Sequence, residues 1–249
     1  MDKIAAFTAL HVPGDPLVLY NIWDAGSARA VAEAGAKAIA TGSYGVAEAN
    51  GFKDGETLPL DMVLENLRRI LSVTDLPVTI DMEAGYGETP AEVAASVGRA
   101  FDLGAAGINM EDRMPGETVS LPKAEAADRI AAAAGTGIHV NARADVYRGV
   151  DPSDYSQALI DDVLDRAEAY AGAGAKSLFV PFLGDHATIR SICDGSPLPV
   201  NILWAPGRGT TAALAALGVA RISYGHGPWA AAMDWLKTQA EAVYHPHRS

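Results

Sequence analysis

Short apolar runs alternate along the chain with longer segments in which apolar residues recur three and four positions apart. The runs fall at residues 17–23, 38–43, 78–83, 107–112, 139–145, 177–182, 199–204 and 221–224. Most are rich in Val, Ile or Leu and lack strict in/out alternation, which predicts strands covered on both faces and hence a parallel sheet. Helical spacing occupies 27–34, 60–71, 91–103, 123–133, 156–171, 187–192, 211–217 and 229–243. Thr89-Pro90-Ala91-Glu92 reads as an N-cap followed by Pro in the first turn, and Gly104, Gly135 and Gly218 stand where helices should stop. Eight strand–helix pairs with no linker between them predict an α/β chain folded as one TIM-type (β/α)8 barrel domain over residues 1–249. A doubly wound open sheet is the alternative, but no G-x-G-x-x-G follows the first strand, where Asp24-Ala25-Gly26-Ser27 stands.

Composition narrows the partners. Among 249 residues, 31 acids against 19 bases give a net charge of −12, which offers no basic stripe for nucleic acid. The single cysteine, Cys193, excludes an internal disulfide and a thiolate metal site and fits a reducing compartment. No apolar signal core opens the chain, and no stretch approaches about 18 apolar residues. The expectation is a cytoplasmic protein that meets neither membrane nor nucleic acid.

In a (β/α)8 barrel the chemistry sits at the carboxyl ends of the strands. Here those ends are polar: Asp81-Met82-Glu83, Asn109-Met110-Glu111-Asp112-Arg113 and Asn141-Ala142-Arg143-Ala144-Asp145. Residues two apart share a face of a strand, so Asp81 with Glu83, Asn109 with Glu111, and Asn141 with Arg143 and Asp145 are expected to point together. Carboxylates gathered in a low dielectric call for a compensating cation, and Mg2+, which keeps waters and takes one or two protein carboxylates, suits them. Pairing of the same acids with Arg113 and Arg143 is the competing reading.

Asn21 to Arg29, Ala40 to Ala47, Asp81 to Gly87, Gly107 to Asp112 and Asn141 to Asp145 together resemble the isocitrate lyase/phosphoenolpyruvate mutase superfamily over nearly the whole chain. The resemblance implies a Mg2+-binding barrel (Mn2+ as substitute) that handles small 2-oxo carboxylates and assembles as dimers or tetramers, with the last helix exchanged between protomers. It implies Asp81 as the direct metal ligand, with Glu83 and Glu111 holding the ion directly or through water. Glu83 stands where the superfamily's D-x-D-x-G-Y-G has its second Asp. By the same likeness Arg143 binds the substrate carboxylate, and Gly42, Ser43, Tyr44 and Gly45 form the turn that offers backbone N–H groups. Asn201 reaches the substrate from strand seven, and Asp54 rides on a loop over the site. Trp23, Tyr44 and Trp204 are candidate walls of the substrate pocket; Tyr44, Asp54, Glu117 and a metal-bound water are the candidates for proton transfer.

Two departures bear on the reaction. The superfamily's K-K-C-G-H lyase loop is replaced by Arg113-Met114-Pro115-Gly116-Glu117-Thr118-Val119-Ser120, and the K-x-N pattern of phosphonopyruvate-type members is missing too. A Mg2+-dependent lyase acting by C–C cleavage or decarboxylation is the leading expectation, with a P–C bond mutase or hydrolase as the alternative. A Schiff-base aldolase would need a buried Lys, for which only Lys176 lies near a strand, and a non-catalytic 2-oxo acid binding protein is the remaining reading. His139 reads as structural, and His226 as part of a turn before the last helix, with a small-anion site in its Gly-rich surroundings as the alternative. His245 and His247 read as a frayed end, and Trp229, Met233 and Trp235 as a subunit contact.

Overall fold

The computed structural model describes residues 2–245, so His247 lies outside the described residues. Its parallel strands are β1 (Leu17–Leu19), β2 (Ile39–Ala40), β3 (Val78–Asp81), β4 (Gly107–Glu111), β5 (His139–Arg143), β6 (Ser177–Val180), β7 (Val200–Leu203) and β8 (Arg221–Ser223). They form one sheet in the order β1-β8-β7-β6-β5-β4-β3-β2. Its two ends meet through Ile22, whose N–H donates to the Ala40 carbonyl at 2.8 Å and whose carbonyl accepts from Gly42 at 3.3 Å. The result is a nearly closed TIM-type (β/α)8 barrel in a single domain. Around it run α1 (Lys3–Ala9), α2 (Ala25–Glu33), α3 (Ser43–Ala49), α4 (Leu60–Leu71), α5 (Pro90–Leu103), α6 (Lys123–Ala134), α7 (Gln157–Gly172), α8 (His186–Gly195), α9 (Thr211–Ala215) and α10 (Gly227–Tyr244).

The strands are shorter than the apolar runs imply, because their polar C-terminal residues leave the ladder to form the site. Residue 43 opens α3 instead of closing a strand, and α1 lies before the first strand, capped by the Asp2 carboxylate on the Ile4 N–H at 3.0 Å. Of the three glycine stops, Gly104 and Gly218 take left-handed φ of 103° and 91°, whereas Gly135 ends α6 in helical conformation.

Most apolar burial lies between the strands and the helices. The barrel interior is largely polar, carrying Asp81, Asn109, Glu111, His139, Asn141, Arg143, Ser177, Asn201, Arg221 and Ser223. Its base is closed by a small cluster of Phe7 with Leu17, Leu19, Ala38, Ala40 and Ala106. Phe7 enters beneath β4 so closely that a Cβ on Gly107 would lie 2.7 Å from its ring, which is why glycine stands there. Phe7→Ala is therefore expected to cost about 3–5 kcal/mol, read as a fall in Tm with metal-ion binding unchanged.

His139 lies just above this plug, fully buried and stacked on His11 with ring centroids 4.5 Å apart. The Ser177 hydroxyl donates to Asn141 Oδ1 at 2.6 Å and so accepts from His139 Nε2 at 3.0 Å, while the Thr8 hydroxyl donates to His139 Nδ1 at 2.9 Å. That arrangement fits a neutral ring, and burial lowers the pKa of His139 and takes that of His11 down to about 3.

Candidate active site

A cavity of about 250 Å³ opens at the carboxyl ends of the strands. Gly42, Ser43 and Tyr44 form one wall, Asp54 stands over it, and Asp81, Glu111 and Arg143 face it from β3, β4 and β5. Asn21, Asn109 and Ser223 add polar groups, and Phe179 and Phe182 supply an apolar side. A second cavity of about 350 Å³ adjoins it, sharing Asp54, Glu111, Arg113 and Arg148 and adding Glu83 and Glu117.

The acids do not share one environment. Asp81 accepts only backbone N–H groups, from Ser43 at 3.3 Å and Glu83 at 3.2 Å. Burial and the neighbouring Asp54 raise its pKa, against the pull of Arg143. Glu111 is held by Arg143 and by Arg113 at 3.0 Å, and Asp145 by Arg143 at 2.6 Å and Arg113 at 3.1 Å. Two guanidiniums and two carboxylates thus interlock, as the competing reading anticipated. Even so, burial pushes Glu111 up to about 7. Three of the five N–H donors of Arg143 are spent on this lattice, and Phe179 and Phe182 lie 6.0 and 5.7 Å from its guanidinium carbon.

Glu83 departs from the expected face. β3 ends at Asp81, and Glu83 takes a left-handed φ of 48° that turns its carboxylate away from the first cavity. There it accepts the Gly55 and Glu56 N–H groups at 2.7 and 2.9 Å, tying down the 51–57 loop. Burial and the nearby Asp81 push its pKa up to about 8. The described residues contain no group of three or more acids, histidines or cysteines placed to hold a metal ion by themselves. A hydrated Mg2+ fits, since the Asp81 carboxylate has lone pairs not claimed by a side chain and Mg2+ retains waters.

Four further candidates stand apart from the first cavity. Trp23 does not line it; its carbonyl accepts from Asn66 Nδ2 at 2.9 Å. Gly45 abuts Trp229, where a Cβ would come within 3.1 Å. Asn201 is fully buried beneath the floor, accepting from the Ser223 hydroxyl at 3.2 Å, and Glu117 faces only the second cavity. His226 lies in the turn before α10, as expected, and also lines the first cavity with its ring 5.5 Å from that of Tyr44. Arg148 was missed; it lies outside any apolar run, on the turn after β5, and its only ion-pair partner among the described residues is Asp145 at 4.0 Å. Asn21 was visible only as part of a motif; its Oδ1 accepts the Tyr224 and Gly225 N–H groups and joins β1 to the end of β8. Neither a cysteine nor a lysine lines the cavity: Lys176 is exposed, and Cys193, on α8, has its thiol pushed up to about 12 by burial.

Acids and arginines around a small polar cavity at the top of a (β/α)8 barrel are the layout in which enzymes of this fold carry their chemistry. The sequence model of the phosphoenolpyruvate phosphomutase family matches residues 7–244, and the chain belongs to that family, within the isocitrate lyase/phosphoenolpyruvate mutase superfamily. It is 34% identical to an uncharacterized protein of Mycobacterium tuberculosis over 96% of this chain and 88% of the relative. It is 31% identical to the 2-methylisocitrate lyase of Escherichia coli K12 over 78% and 67% of the two chains. Among solved structures, a candidate phosphonomutase from Burkholderia cenocepacia J2315 superposes with a TM-score of 0.94 at 46% identity, covering 97% of this chain and 98% of that one.

Proposed function

We propose that the chain is a Mg2+-dependent lyase for a small 2-oxo or 2-hydroxy carboxylate, acting by C–C cleavage or decarboxylation. The observation that carries this reading is the placing of Asp81, free of side-chain partners, in the same small cavity as the two unspent donors of Arg143. Asp81 would hold the ion, with Glu83 and Glu111 reached through water. When bound, Mg2+ or Mn2+ supplies a Lewis acid for the 2-oxo oxygen. Arg143 orients the ligand carboxylate, Phe179 and Phe182 limit water on one side, and Tyr44 and Asp54 are placed to hold or pass a proton, with Glu117 at the outer cavity. Relatives include an oxaloacetate decarboxylase at 27% identity, and a phosphonopyruvate hydrolase of the same fold is described with oxalate and Mg++.

The candidate phosphonomutase at 46% identity favours a second reading, P–C bond chemistry on a phosphonopyruvate-like substrate. Pyruvate and CO2 release from oxaloacetate or a 2-alkylmalate panel, beside phosphorus NMR of phosphonopyruvate, separates the two. EDTA should silence the active substrate. Activity that survives EDTA and is trapped by borohydride would overturn the metal reading, and metal-dependent binding without turnover on any substrate would leave a binding protein.

We also place this chain in the cytoplasm as a homo-oligomer; no helix among the described residues is long and apolar enough to cross a membrane. On α10 only Pro228 is buried, while Trp235, Leu236, Val243 and Tyr244 are exposed. On the outer side of β1, Val18 and Tyr20 are exposed beside an apolar groove formed with Val31, Ala34 and Ala36. Exchange of α10 onto this groove of a partner would cover both surfaces. Trp235→Glu with Leu236→Glu is expected to shift the protein from oligomer to monomer in light-scattering chromatography; an unchanged mass would contradict it.

A further inference from the structure

Arg221 opens β8 inside the barrel and is completely buried. Its Nη2 donates to Asn109 Oδ1 at 3.0 Å and its Nε to the Ser223 hydroxyl at 3.2 Å. Both partners line the cavity, so Arg221 lies directly beneath its floor and links strands 112 residues apart in sequence. Arg143, the other guanidinium inside the barrel, is neutralised by Glu111 and Asp145, whereas Arg221 forms no salt bridge among the described residues. Its Nη1 and the Nδ2 of Asn201, its register neighbour on β7, are buried donors with no partner. Below it lie the neutral His11 and His139, which cannot balance its charge. Burial lowers its pKa to about 9, against the weaker pull of the Asp81 carboxylate, which touches it nowhere, and leaves it charged at neutral pH.

A buried cation without a directly bonded counter-ion is costly, and the cost falls when a further anion settles nearby. We propose that Arg221 is a positioning and charge-bearing residue of the cavity floor, fixing Asn109 and Ser223 from beneath and favouring doubly charged small carboxylates over singly charged ones. The inference rests on the small-carboxylate reading of the cavity and deepens it. Because a coulombic contribution scales with ligand charge, the free-energy loss on removing it should be twice as large for a dianion as for a monoanion.

Titration calorimetry of the Mg2+-loaded protein with oxalate, a dianion, and oxamate, its singly charged analogue, reads this directly. Arg221→Met is expected to raise the oxalate Kd about tenfold and the oxamate Kd about threefold, collapsing the preference between them. Arg221→Lys should bring the oxalate Kd back to within about threefold of the wild type and return the ratio of the two affinities towards its wild-type value, since it restores the charge. The ratio of the two affinities does not depend on the fraction of folded protein. Equal losses for both ligands, a Lys variant no better than the Met variant, or no loss at all would overturn the proposal. If the wild type bound neither ligand, the 2-oxo carboxylate reading would fail. Inorganic phosphate at pH 8 would then read Arg221 by itself, and a wild type blind to all three anions would overturn both.

Discussion

Asp81→Ala should lower metal-dependent turnover by on the order of 10³-fold, equivalent to about 4 kcal/mol of transition-state stabilisation, while leaving the protein folded. Asp81 is the strand acid facing the first cavity whose contacts are all to backbone N–H groups, from Ser43 and Glu83. Glu111 is spent on two arginines and Glu83 on the 55–56 backbone, so neither replaces it without breaking bonds that shape the site. The fold should tolerate the change because the ionised carboxylate is disfavoured where it stands: burial and Asp54 raise its pKa. Truncation removes that repulsion, and Tm without metal should stay level or rise slightly. Initial rates across a Mg2+ series, beside calorimetric melts with and without the ion, check both halves. A variant with wild-type kcat, or one whose melting still rises with Mg2+ as the wild type's does, would remove Asp81 from the metal site.

The site was legible in the sequence wherever a residue obeys strand parity. Asp81, Asn109, Glu111 and Arg143 are strand residues that face the barrel axis, so period two and the carboxyl-end rule find them together. Glu83 is also two residues from Asp81, yet its left-handed backbone breaks the parity, and only the fold shows that its carboxylate serves the loop bearing Asp54. Asn201 obeys parity but lies one layer too deep, under Ser223, because strand positions fix the face and not the height within the barrel.

Arg221 was hidden for a related reason. It sits at the start of a short apolar run, at the end of the strand remote from the cavity rim, where a charge reads as a strand boundary. The informative cue was a basic residue inside Val219-Ala220-Arg221-Ile222, a run otherwise apolar and here wholly buried. Helix α1 escaped notice because seven residues are too few for a convincing period, although Asp2 and the following Lys3-Ile4-Ala5-Ala6 have the composition of a capped first turn. The interlocked pairs of Arg113 and Arg143 with Glu111 and Asp145 are long-range facts of β4 lying beside β5.

That lattice makes Arg143→Leu the substitution with the largest expected effect on stability as well as on binding. Removing the guanidinium leaves Glu111 and Asp145 sharing Arg113, with only the more distant Arg148 beside Asp145, and breaking a buried pair from one side costs about 3–5 kcal/mol, or roughly 6–20 °C in Tm for a chain of this size. Part of the loss is capped by protonation: Glu111 already sits near pKa 7 and goes neutral more readily once Arg143 leaves. The deficit should therefore shrink as pH falls from 8 towards 6. Arg143→Lys retains a charge but not the fork that spans both acids, so it should restore part of the stability and little of the carboxylate binding. Oxalate affinity is expected to fall about 10²-fold in the Leu variant, measured by calorimetry below its lowered Tm. A Leu variant that melts within about 2 °C of the wild type, or that binds oxalate as tightly, would show that Arg143 neither anchors the lattice nor meets the ligand.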